Sequence, residues 1–398
     1  MKILMVNTLF YPHVFGGAEK SVQLLSQGLA DQGHEVVVVS VAPARDVKYV
    51  GGLKVYYLPP HNIYWGGMFG RAGRLKKLLW HLGDIFNPGI YRELSGIADR
   101  ERPDIIHTHM LTGLSAAPWV IARRRGIPVV HTLREYSLIC ESATMFRDNT
   151  NCSGQCRACG AFTALKKYLC NHGTIKHVVG LSNFIIARHL QQGYFKGVPY
   201  SRVFNGIEVP TTPSRLLPGL AGPVKILYLG RIERGKGVWE ILEAAQQMAG
   251  IELYLGGRVL DDEIREKIKQ QKYPAHIQFL GFIDPQEILD QIDVVIVPSR
   301  WHEPFGRVVI EAYQYGKPVI ASHRGGLPEI VIEGKTGFLY NPDHVQELLA
   351  ILKRLTTDPG LIPALHSHIA EHLQQFDNNH IARQYEQIYQ SVIKHDIN

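Results

Sequence analysis

Two glutamates, eight residues apart, lie in the segment whose residue types most clearly suggest chemistry. A β-branched run, Val294–Val297, predicts a strand that ends at Pro298, and a helix is predicted to begin near Gly306. Glu303 then lies in the connecting loop and Glu311 in the second turn of the helix. Carboxylates accept hydrogen bonds from sugar hydroxyls, and the first N–H groups of a helix attract a phosphate. The segment therefore predicts a nucleotide-sugar site, because an ordinary first-turn glutamate would explain only one of the two carboxylates.

A second motif places two cations directly after another predicted strand. Ile226–Leu229 is followed by Gly230-Arg231 and then by Lys236-Gly237. Doubly wound sheets bind their ligands at the carboxyl ends of strands, and a guanidinium together with an ammonium group suits a diphosphate. Arg231 and Lys236 are therefore predicted to bind a diphosphate. The alternative is that both are solvated cations on a loop.

A glycine pair opens the first predicted helix. Gly16-Gly17 follows the strand Ile3–Val6 and precedes a helix that runs to about Ala30. Glycine lets a ligand approach the backbone closely, and a helix start offers N–H groups to an anion. The pair lacks the G-x-G-x-x-G spacing of dinucleotide-binding proteins, so a tight turn between strand and helix explains it equally well.

The elements that must position these residues form two α/β domains. Short β-branched runs alternate with helical patterns on both sides of a segment rich in proline and glycine, residues 205–223. We therefore predict two doubly wound domains, residues 1–205 and 206–375. The strands that carry the prediction are Ile3–Val6, Val36–Val41, Ile105–His107, Val129–Thr132, His177–Leu181, Ile226–Leu229, Leu253–Leu255, Ile277–Leu280, Val294–Val297 and Val319–Ala321.

Charge is distributed unevenly over the 398 residues. The formal net charge is +7, but residues 1–205 carry +12 and the remainder carries −5. A basic first half is expected to face something anionic. The composition, 45% hydrophobic and 20% charged, excludes fibrous and low-complexity classes. No window approaches the ~20 apolar residues of a membrane-spanning helix, so we expect a cytoplasmic protein.

Taken together and in order, the motifs resemble those of the retaining glycosyltransferases of family 4. The resemblance covers nearly the whole chain and implies the GT-B fold, in which two Rossmann-like domains face each other across a cleft. It also implies that a last helix, residues 376–398, crosses back to the first domain. The motifs that carry it are Gly16-Gly17, Asn205-Gly206-Ile207, Gly230-Arg231 with Lys236-Gly237, Glu303-Pro304-Phe305-Gly306 with Glu311, and Gly325-Gly326-Leu327-Pro328-Glu329.

The resemblance implies four catalytic residues. Arg231 and Lys236 would bind the donor diphosphate and stabilise charge on the leaving nucleotide, and Glu303 would hold hydroxyls of the donor sugar. His109, just after a predicted strand, would lie near the anomeric carbon; a structural histidine is the alternative. The family uses no catalytic metal, and its route is a same-face displacement in which the leaving phosphate helps to deprotonate the acceptor.

The donor site implied by the resemblance is larger than this catalytic set. Gly17 would let the phosphate approach, Glu311 would hold the ribose, and Val308 and Val309 would contribute backbone N–H groups. The full implied set is Gly16, Gly17, Arg231, Lys236, Glu303, Phe305, Gly306, Arg307, Val308, Val309 and Glu311.

One position departs from the family pattern. Relatives commonly carry His-Asp-Tyr where this chain has Arg134-Glu135-Tyr136. No catalytic role is therefore carried onto Arg134 or Glu135. Arg134 instead becomes a candidate for contact with an anionic acceptor.

All five cysteines fall within an insertion at about residues 140–170 of the first domain. Cys140, Cys152, Cys156 and Cys159 could close a structural zinc site, and an iron–sulfur cluster would use the same ligands. Free thiols are the alternative, and disulfides are less favoured in a chain without a secretion signal. Such a metal would stabilise the insertion on the acceptor side and would take no part in catalysis.

Residues 61–83 combine basic and apolar residues and lack acidic ones. Leu75, Leu78, Leu79 and Leu82 share one face of a predicted helix, beside several Lys and Arg. A basic amphipathic helix of this kind suggests association with an anionic membrane surface, although a surface helix packed on its own domain shows the same pattern. We therefore expect peripheral association with the inner face of the cell membrane and a lipid-linked or polysaccharide acceptor in surface glycan synthesis.

Rival functions fit the sequence less well. A nucleotide-sugar epimerase of the same fold would need further acid–base groups. A nucleic-acid-binding module is disfavoured because no zinc-finger or RNA-binding signature accompanies the basic residues. A nicotinamide-dependent oxidoreductase would need the missing fingerprint.

Overall fold

The computed structural model describes residues 1–13, 16–63, 73–210 and 222–397. The chain forms two compact units. The first comprises Met1–Met145, Ser153–Gly206 and Asn378–Asn398, and the second comprises Phe146–Cys152 and Ile207–Asp377. Most of the predicted linker, residues 211–221, lies outside the described residues.

The first unit is built on a sheet that has eight strands within the described residues, in the order β10-β9-β6-β5-β1-β2-β4-β3. All neighbours are parallel except β3 and β4. The strands are β1 (Lys2–Val6), β2 (Glu35–Val41), β3 (Asp46–Val50), β4 (Leu53–Leu58), β5 (Ile105–Thr108), β6 (Val129–Leu133), β9 (Ile175–Gly180) and β10 (Tyr200–Arg202). Two short strands, β7 (Phe146–Arg147) and β8 (Thr150–Asn151), form a separate antiparallel hairpin.

The helices of the first unit include the last helix of the chain. They are α1 (Gly17–Asp31), α2 (Arg74–Ile85), α3 (Pro88–Glu101), α4 (Ala117–Arg125), α5 (Arg157–Asn171), α6 (Asn183–Gln191) and α12 (Asn378–Ile397). Two buried tyrosines attach α12 to the central strands. Tyr389 Oη lies 2.6 Å from His107 Nδ1, and Tyr385 Oη lies 3.1 Å from Thr132 Oγ1.

The second unit has an all-parallel sheet, with six strands among the described residues, in the order β13-β12-β11-β14-β15-β16. The strands are β11 (Val224–Leu229), β12 (Ile251–Gly256), β13 (Ile277–Gly281), β14 (Val294–Val297), β15 (Val319–Ser322) and β16 (Gly337–Tyr340). The helices are α7 (Val238–Gln247), α8 (Asp262–Lys269), α9 (Arg307–Gln314), α10 (Val345–Thr357) and α11 (Leu361–Leu373). Buried aliphatic side chains of β11, β12 and β14 pack against α7 and α10 in one core.

The two-domain α/β prediction and all ten predicted strands are confirmed. Of the strands that the sequence did not predict, β3, β10 and β16 lie at sheet edges, β7 and β8 pair in the small hairpin, and β4 lies between β2 and β3. β3, for example, is exposed along most of its length and lacks a buried apolar run. One boundary was wrong: Phe146–Cys152, which the sequence analysis placed inside the first domain, groups with the second unit. Within the described residues, no helix combines the length and apolarity needed to cross a membrane.

Candidate active site

Two loops of the second unit meet because their strands are parallel neighbours. β11 and β14 pair in register from Ile226 with Val294, so the loops that follow them leave the same edge of the sheet. The N–H groups of Arg300 and Trp301 both donate to the carbonyl oxygen of Gly235, at 3.0 and 3.2 Å. The structure thus brings the predicted diphosphate motif and the predicted sugar motif together.

Two glycines permit the close approach of these loops. Gly237 has φ of 71°, and a Cβ there would lie 1.8 Å from the carbonyl oxygen of Pro298. Gly325, after β15, has φ of 60°, and its Cβ would lie 2.1 Å from the carbonyl oxygen of Glu303. Any larger residue at either position would combine a strained backbone with a steric clash. The neighbouring Gly326 N–H donates to that same Glu303 oxygen at 2.7 Å.

The carboxylate of Glu303 is the centre of the site. Its Oε1 accepts hydrogen bonds from Lys236 Nζ at 2.7 Å, from Ser299 Oγ at 2.7 Å and from Trp301 Nε1 at 2.8 Å. Within the described part of the chain, these bonds all end on Oε1 and none involves Oε2. One oxygen is therefore anchored, while the other can accept a hydrogen bond from a ligand hydroxyl.

The electrostatics of this group favour an ionised carboxylate. Burial alone would raise the pKa of Glu303, but the charge of Lys236 and the three hydrogen bonds outweigh burial and lower the pKa. The Lys236 ammonium also lies 4.6 Å from the centre of the Trp301 ring, a cation–π distance. At neutral pH the site therefore holds a fixed anion beside a fixed cation.

Other predicted donor-site residues of this unit surround the start of α9. Arg231 is exposed and pairs with Glu233 at 3.0 Å. Glu311 accepts from the buried Arg307 Nε at 2.9 Å, so its carboxylate points toward the first turn of the helix. Gly306, at φ of 100°, caps that turn.

The geometry of this turn changes the roles predicted for Val309 and Phe305. The N–H of Val309 donates to the carbonyl oxygen of Gly306 at 3.0 Å, so this amide is already engaged, whereas Val308 is one position closer to the helix start. Phe305 is buried and packs edge-on against Phe376, with ring centres 6.3 Å apart. Its side chain therefore supports the loop from within the core.

The hairpin β7–β8 supports these loops, a role that was not predicted from the sequence. Asn151 Nδ2 donates to the carbonyl oxygen of Arg300 at 2.8 Å, and its Oδ1 accepts from the N–H of His302 at 3.0 Å. Phe146 lies close to Gly235, where an added Cβ would come within 3.2 Å of its ring. A single side chain thus holds the backbone on both sides of Trp301. An asparagine in a cysteine-rich insertion gave no sequence signal for this role.

In the first unit, Gly16 and Gly17 lie exposed at the start of α1. The Gly16 N–H donates to the buried carboxylate of Glu19 at 3.1 Å, which is the glutamate half of a capping box. The φ of Gly16 is −162°, so its backbone is extended and imposes no need for glycine.

His109 is enclosed by the first unit. Its Nδ1 accepts from Arg134 Nε at 3.0 Å, and its Nε2 lies 2.8 Å from Met5 Sδ. Burial, followed by His107 and Arg134, lowers the pKa of His109 well below its ordinary value. The neutral ring therefore positions the buried Arg134, which also donates to Asn205 Oδ1 at 2.5 Å. A role at the anomeric carbon stays a prediction.

A polar pocket lies beside α2 and α5 in the first unit. The buried ion pair between Lys166 Nζ and Asp84 Oδ2, at 3.4 Å, forms one wall. Burial raises the pKa of the adjacent Glu135 to about 7, and its Oε1 is buried without a hydrogen-bond partner among the described residues. The full lining is Trp80, His81, Asp84, Thr112, Ser137, Glu141, Phe162, Thr163 and Lys166.

The four cysteines predicted to bind metal do not gather into one site. Across the described ranges, no group of three or more His, Cys, Asp or Glu side chains has the arrangement of a metal site. Cys152 belongs to the second unit, whereas Cys140, Cys156 and Cys159 belong to the first. The donor atoms as placed do not fit a tetrahedral zinc ion or an iron–sulfur cluster, and the structural metal stays a prediction.

Comparison with known proteins gives consistent matches over both units. The family model described as "Glycosyl transferases group 1" matches residues 219–379, and the model "Glycosyl transferase 4-like domain" matches residues 16–206. An uncharacterized 42.6 kDa protein in the cps region of Klebsiella pneumoniae is 33% identical, with 83% of this chain and 87% of that protein covered.

Two further similarities are more distant but span almost the whole chain. The phosphatidyl-myo-inositol mannosyltransferase of Mycolicibacterium smegmatis is 24% identical, covering 95% of this chain and 90% of that protein. The structure of Anabaena HepE in complex with UDP-glucose aligns with a TM-score of 0.72 at 20% identity, over 98% of this chain and 100% of that one. That structural similarity establishes the GT-B fold.

Proposed function

Because this chain belongs to the group 1 glycosyltransferases, we propose that it transfers a sugar from a nucleoside diphosphate sugar to an acceptor hydroxyl with retention of anomeric configuration. The observation that carries the proposal is the Lys236–Glu303 pair at the carboxyl edge of the second sheet. The cation suits the diphosphate of a nucleotide sugar, and the anchored carboxylate suits the hydroxyls of its sugar. The UDP-glucose in the HepE structure is in keeping with such a donor.

The proposed step needs no group beyond donor, acceptor and protein. The bond between the anomeric carbon and the diphosphate oxygen breaks, and the acceptor oxygen forms a bond to that carbon on the same face. The acceptor proton passes to the departing phosphate oxygen. Lys236 and Arg231 stabilise the negative charge that grows on the leaving diphosphate. Glu303 Oε2 holds a sugar hydroxyl and so fixes the ring for attack.

The first unit supplies features suited to a lipid-linked acceptor. Helix α2 exposes Leu75, Leu78, Leu79 and Leu82 to between 45% and 68%, in a half of the chain whose net charge is +12. Its inner residues, Trp80 among them, line the polar pocket. Part of the predicted membrane-facing segment, residues 64–72, lies outside the described residues.

These features lead us to propose that α2 docks on an anionic bilayer and brings the first unit close to a lipid-linked acceptor. The name of the mycobacterial relative contains a lipid acceptor, and the Klebsiella relative comes from a cps region. Both are in keeping with an acceptor used in surface glycan synthesis and with a location at the inner face of the cell membrane.

A binding screen tests the donor half of the proposal. UDP, GDP, ADP and inorganic diphosphate are added to the full chain, and the melting temperature is measured. A ligand at about 100 times its Kd stabilises the folded state by about 2.7 kcal/mol, so one nucleotide should raise the melting temperature by several degrees more than diphosphate. The same nucleotide should lose this effect in Lys236→Ala. No shift with any of the three nucleotides would overturn the proposal.

Liposome binding tests the acceptor half. Wild type should sediment with anionic vesicles at low salt and stay in solution with neutral vesicles. The double variant Leu78→Ser/Leu79→Ser should lose most of this binding, whereas Leu260→Ser, at a similarly exposed leucine of the second unit (41%), should retain it. Equal sedimentation of all three proteins would contradict membrane docking and leave the donor proposal intact.

A further inference from the structure

Two thiols of the cysteine-rich insertion have an arrangement that the transfer reaction does not use. Cys156 is the residue that caps helix α5, and its Sγ accepts a hydrogen bond from the N–H of Cys159 at 3.5 Å. Cys156 is exposed and Cys159 is buried. Only Arg157 and Ala158 separate them, so both lie on the first turn of the helix.

We propose that Cys156 and Cys159 form a redox-active dithiol that closes to a disulfide by exchange with low-molecular-weight disulfides. The exposed thiol can be reached by a small disulfide in solution, and the N–H groups at the helix start stabilise its thiolate. The buried thiol is shielded from solvent and lies on the same helical turn as its neighbour, which is the position of a resolving cysteine. This inference does not depend on the proposed transfer reaction.

Neighbouring groups keep the second thiol in place. The N–H of Glu141 donates to Cys159 Sγ at 3.5 Å, and the helix carbonyl of Cys159 accepts from Thr163 Oγ1 at 2.9 Å. Cys170, on the same helix, is fully buried, so it serves as a control thiol that a disulfide in solution cannot reach.

The exchange balances without any further reactant. The Cys156 thiolate attacks one sulfur of oxidised glutathione, forms a mixed disulfide and releases one glutathione thiolate. Cys159 then gives up its proton to solvent and attacks Cys156 Sγ, which releases the second glutathione. The products are one protein disulfide and two molecules of reduced glutathione.

The experiment uses the full reduced chain in glutathione buffers of increasing oxidised fraction. The chain is then unfolded in denaturant, free thiols are blocked with N-ethylmaleimide, and peptides are mapped by mass spectrometry. Cys156 and Cys159 should lose the label together and appear as one disulfide-linked pair of peptides, while Cys140 and Cys170 stay labelled. Addition of excess dithiothreitol should restore both thiols.

Single variants separate the roles of the two sulfurs. In Cys159→Ser, Cys156 should accumulate as a mixed disulfide with one glutathione, whereas in Cys156→Ser the thiol of Cys159 should stay free. Cys170→Ser should behave as wild type. Absence of the mixed disulfide in Cys159→Ser would overturn the proposal. Stoichiometric zinc or iron that must be removed before Cys156 reacts would also overturn it, in favour of the structural metal predicted from sequence.

Discussion

Replacement of Lys236 by methionine removes the cation of the donor site and keeps most of its volume. In the wild type, Lys236 Nζ lies 2.7 Å from Glu303 Oε1, and the two side chains are 19% and 11% exposed. The variant leaves the buried carboxylate with only the Ser299 and Trp301 hydrogen bonds. It should therefore affect both the stability of the second unit and the transfer reaction.

The size of the stability effect follows from the burial of the pair. Exposed ion pairs contribute about 0–1 kcal/mol, and removal of one partner from a buried pair costs about 3–5 kcal/mol. This pair lies between the two cases, and Glu303 keeps two neutral donors, so we expect a loss of about 2 kcal/mol at pH 7. Loss of a group that stabilises the leaving diphosphate should reduce kcat by about 10²–10³-fold.

The pH dependence of this loss has a definite sign. In the wild type, the folded-state pKa of Glu303 is lowered, so the pair contributes stability above the ordinary carboxyl pKa and loses it as pH falls through the folded-state value. In the variant, burial acts without the cation and raises that pKa. The variant therefore loses stability as pH rises above about 4.3, and the difference from wild type should be smaller at pH 4 than at pH 7.

A double-mutant cycle separates stability from catalysis. Glu303→Gln keeps an oxygen for Ser299 and Trp301 but removes the charge, so Lys236→Met/Glu303→Gln should recover most of the lost unfolding free energy while remaining inactive. Urea unfolding between pH 4 and 8 and initial rates with the identified donor provide the data. A Lys236→Met enzyme with near-normal kcat, or a stability loss independent of pH and additive with Glu303→Gln, would refute the reasoning.

Three further outcomes test other parts of the structure. Gly237→Ala should cost about 3 kcal/mol of unfolding free energy, because a strained φ and a backbone clash coincide. The control Gly334→Ala, also at positive φ but in open space, should cost about 1 kcal/mol. Equal costs in urea unfolding would contradict the clash. Hydrogen bonds from two lysines and a tyrosine outweigh burial and lower the pKa of Glu101 to about 2. Glu101→Gln should therefore lose about 2–3 kcal/mol of unfolding free energy at pH 7 and approach wild type as pH falls from about 4.5 toward 2. A loss of constant size over that range would argue against the pairing. Asn151→Ala should raise the KM for the donor several-fold with little change in melting temperature, because the loop around Arg300 loses both of its side-chain hydrogen bonds to the hairpin. An unchanged KM would show that the hairpin does not support the donor site.

Much of the fold followed from local sequence patterns. Runs such as Val294–Val297 are continuous and apolar because parallel strands are covered on both faces, and each ends at residues typical of a turn. Strand β3 lacked this signal because it is an exposed antiparallel edge. Its pairing with β4 depends on the hairpin turn at Gly51-Gly52 and on the strand beside it.

The candidate site was predictable where function depends on residue type at a strand end. Lys236 and Glu303 could be identified in this way, and the structure places them in contact. The roles of Ser299 and Asn151 could not, because each depends on a partner brought close only by folding. Asn151 lies 149 residues before Arg300 in the chain, and no local pattern encodes such a contact.

The cysteines show what clustering in the sequence does not determine. Their clustering in sequence predicted a shared metal, but sequence proximity does not fix the direction of each sulfur. Cys156 and Cys159 meet because a helix begins between them, whereas Cys152 follows the hairpin that groups with the second unit.

The anomeric configuration of the first product tests the central claim most directly. The full chain is incubated with a panel of nucleoside diphosphate sugars that includes UDP-glucose, with water as the acceptor, and the hydrolysis is followed by proton NMR from the first minutes, before the released sugar mutarotates. We expect release of a nucleoside diphosphate together with a product whose anomeric configuration matches that of the donor, and loss of both in Lys236→Met. Inverted product, or no nucleoside diphosphate released from any donor of the panel, would contradict it.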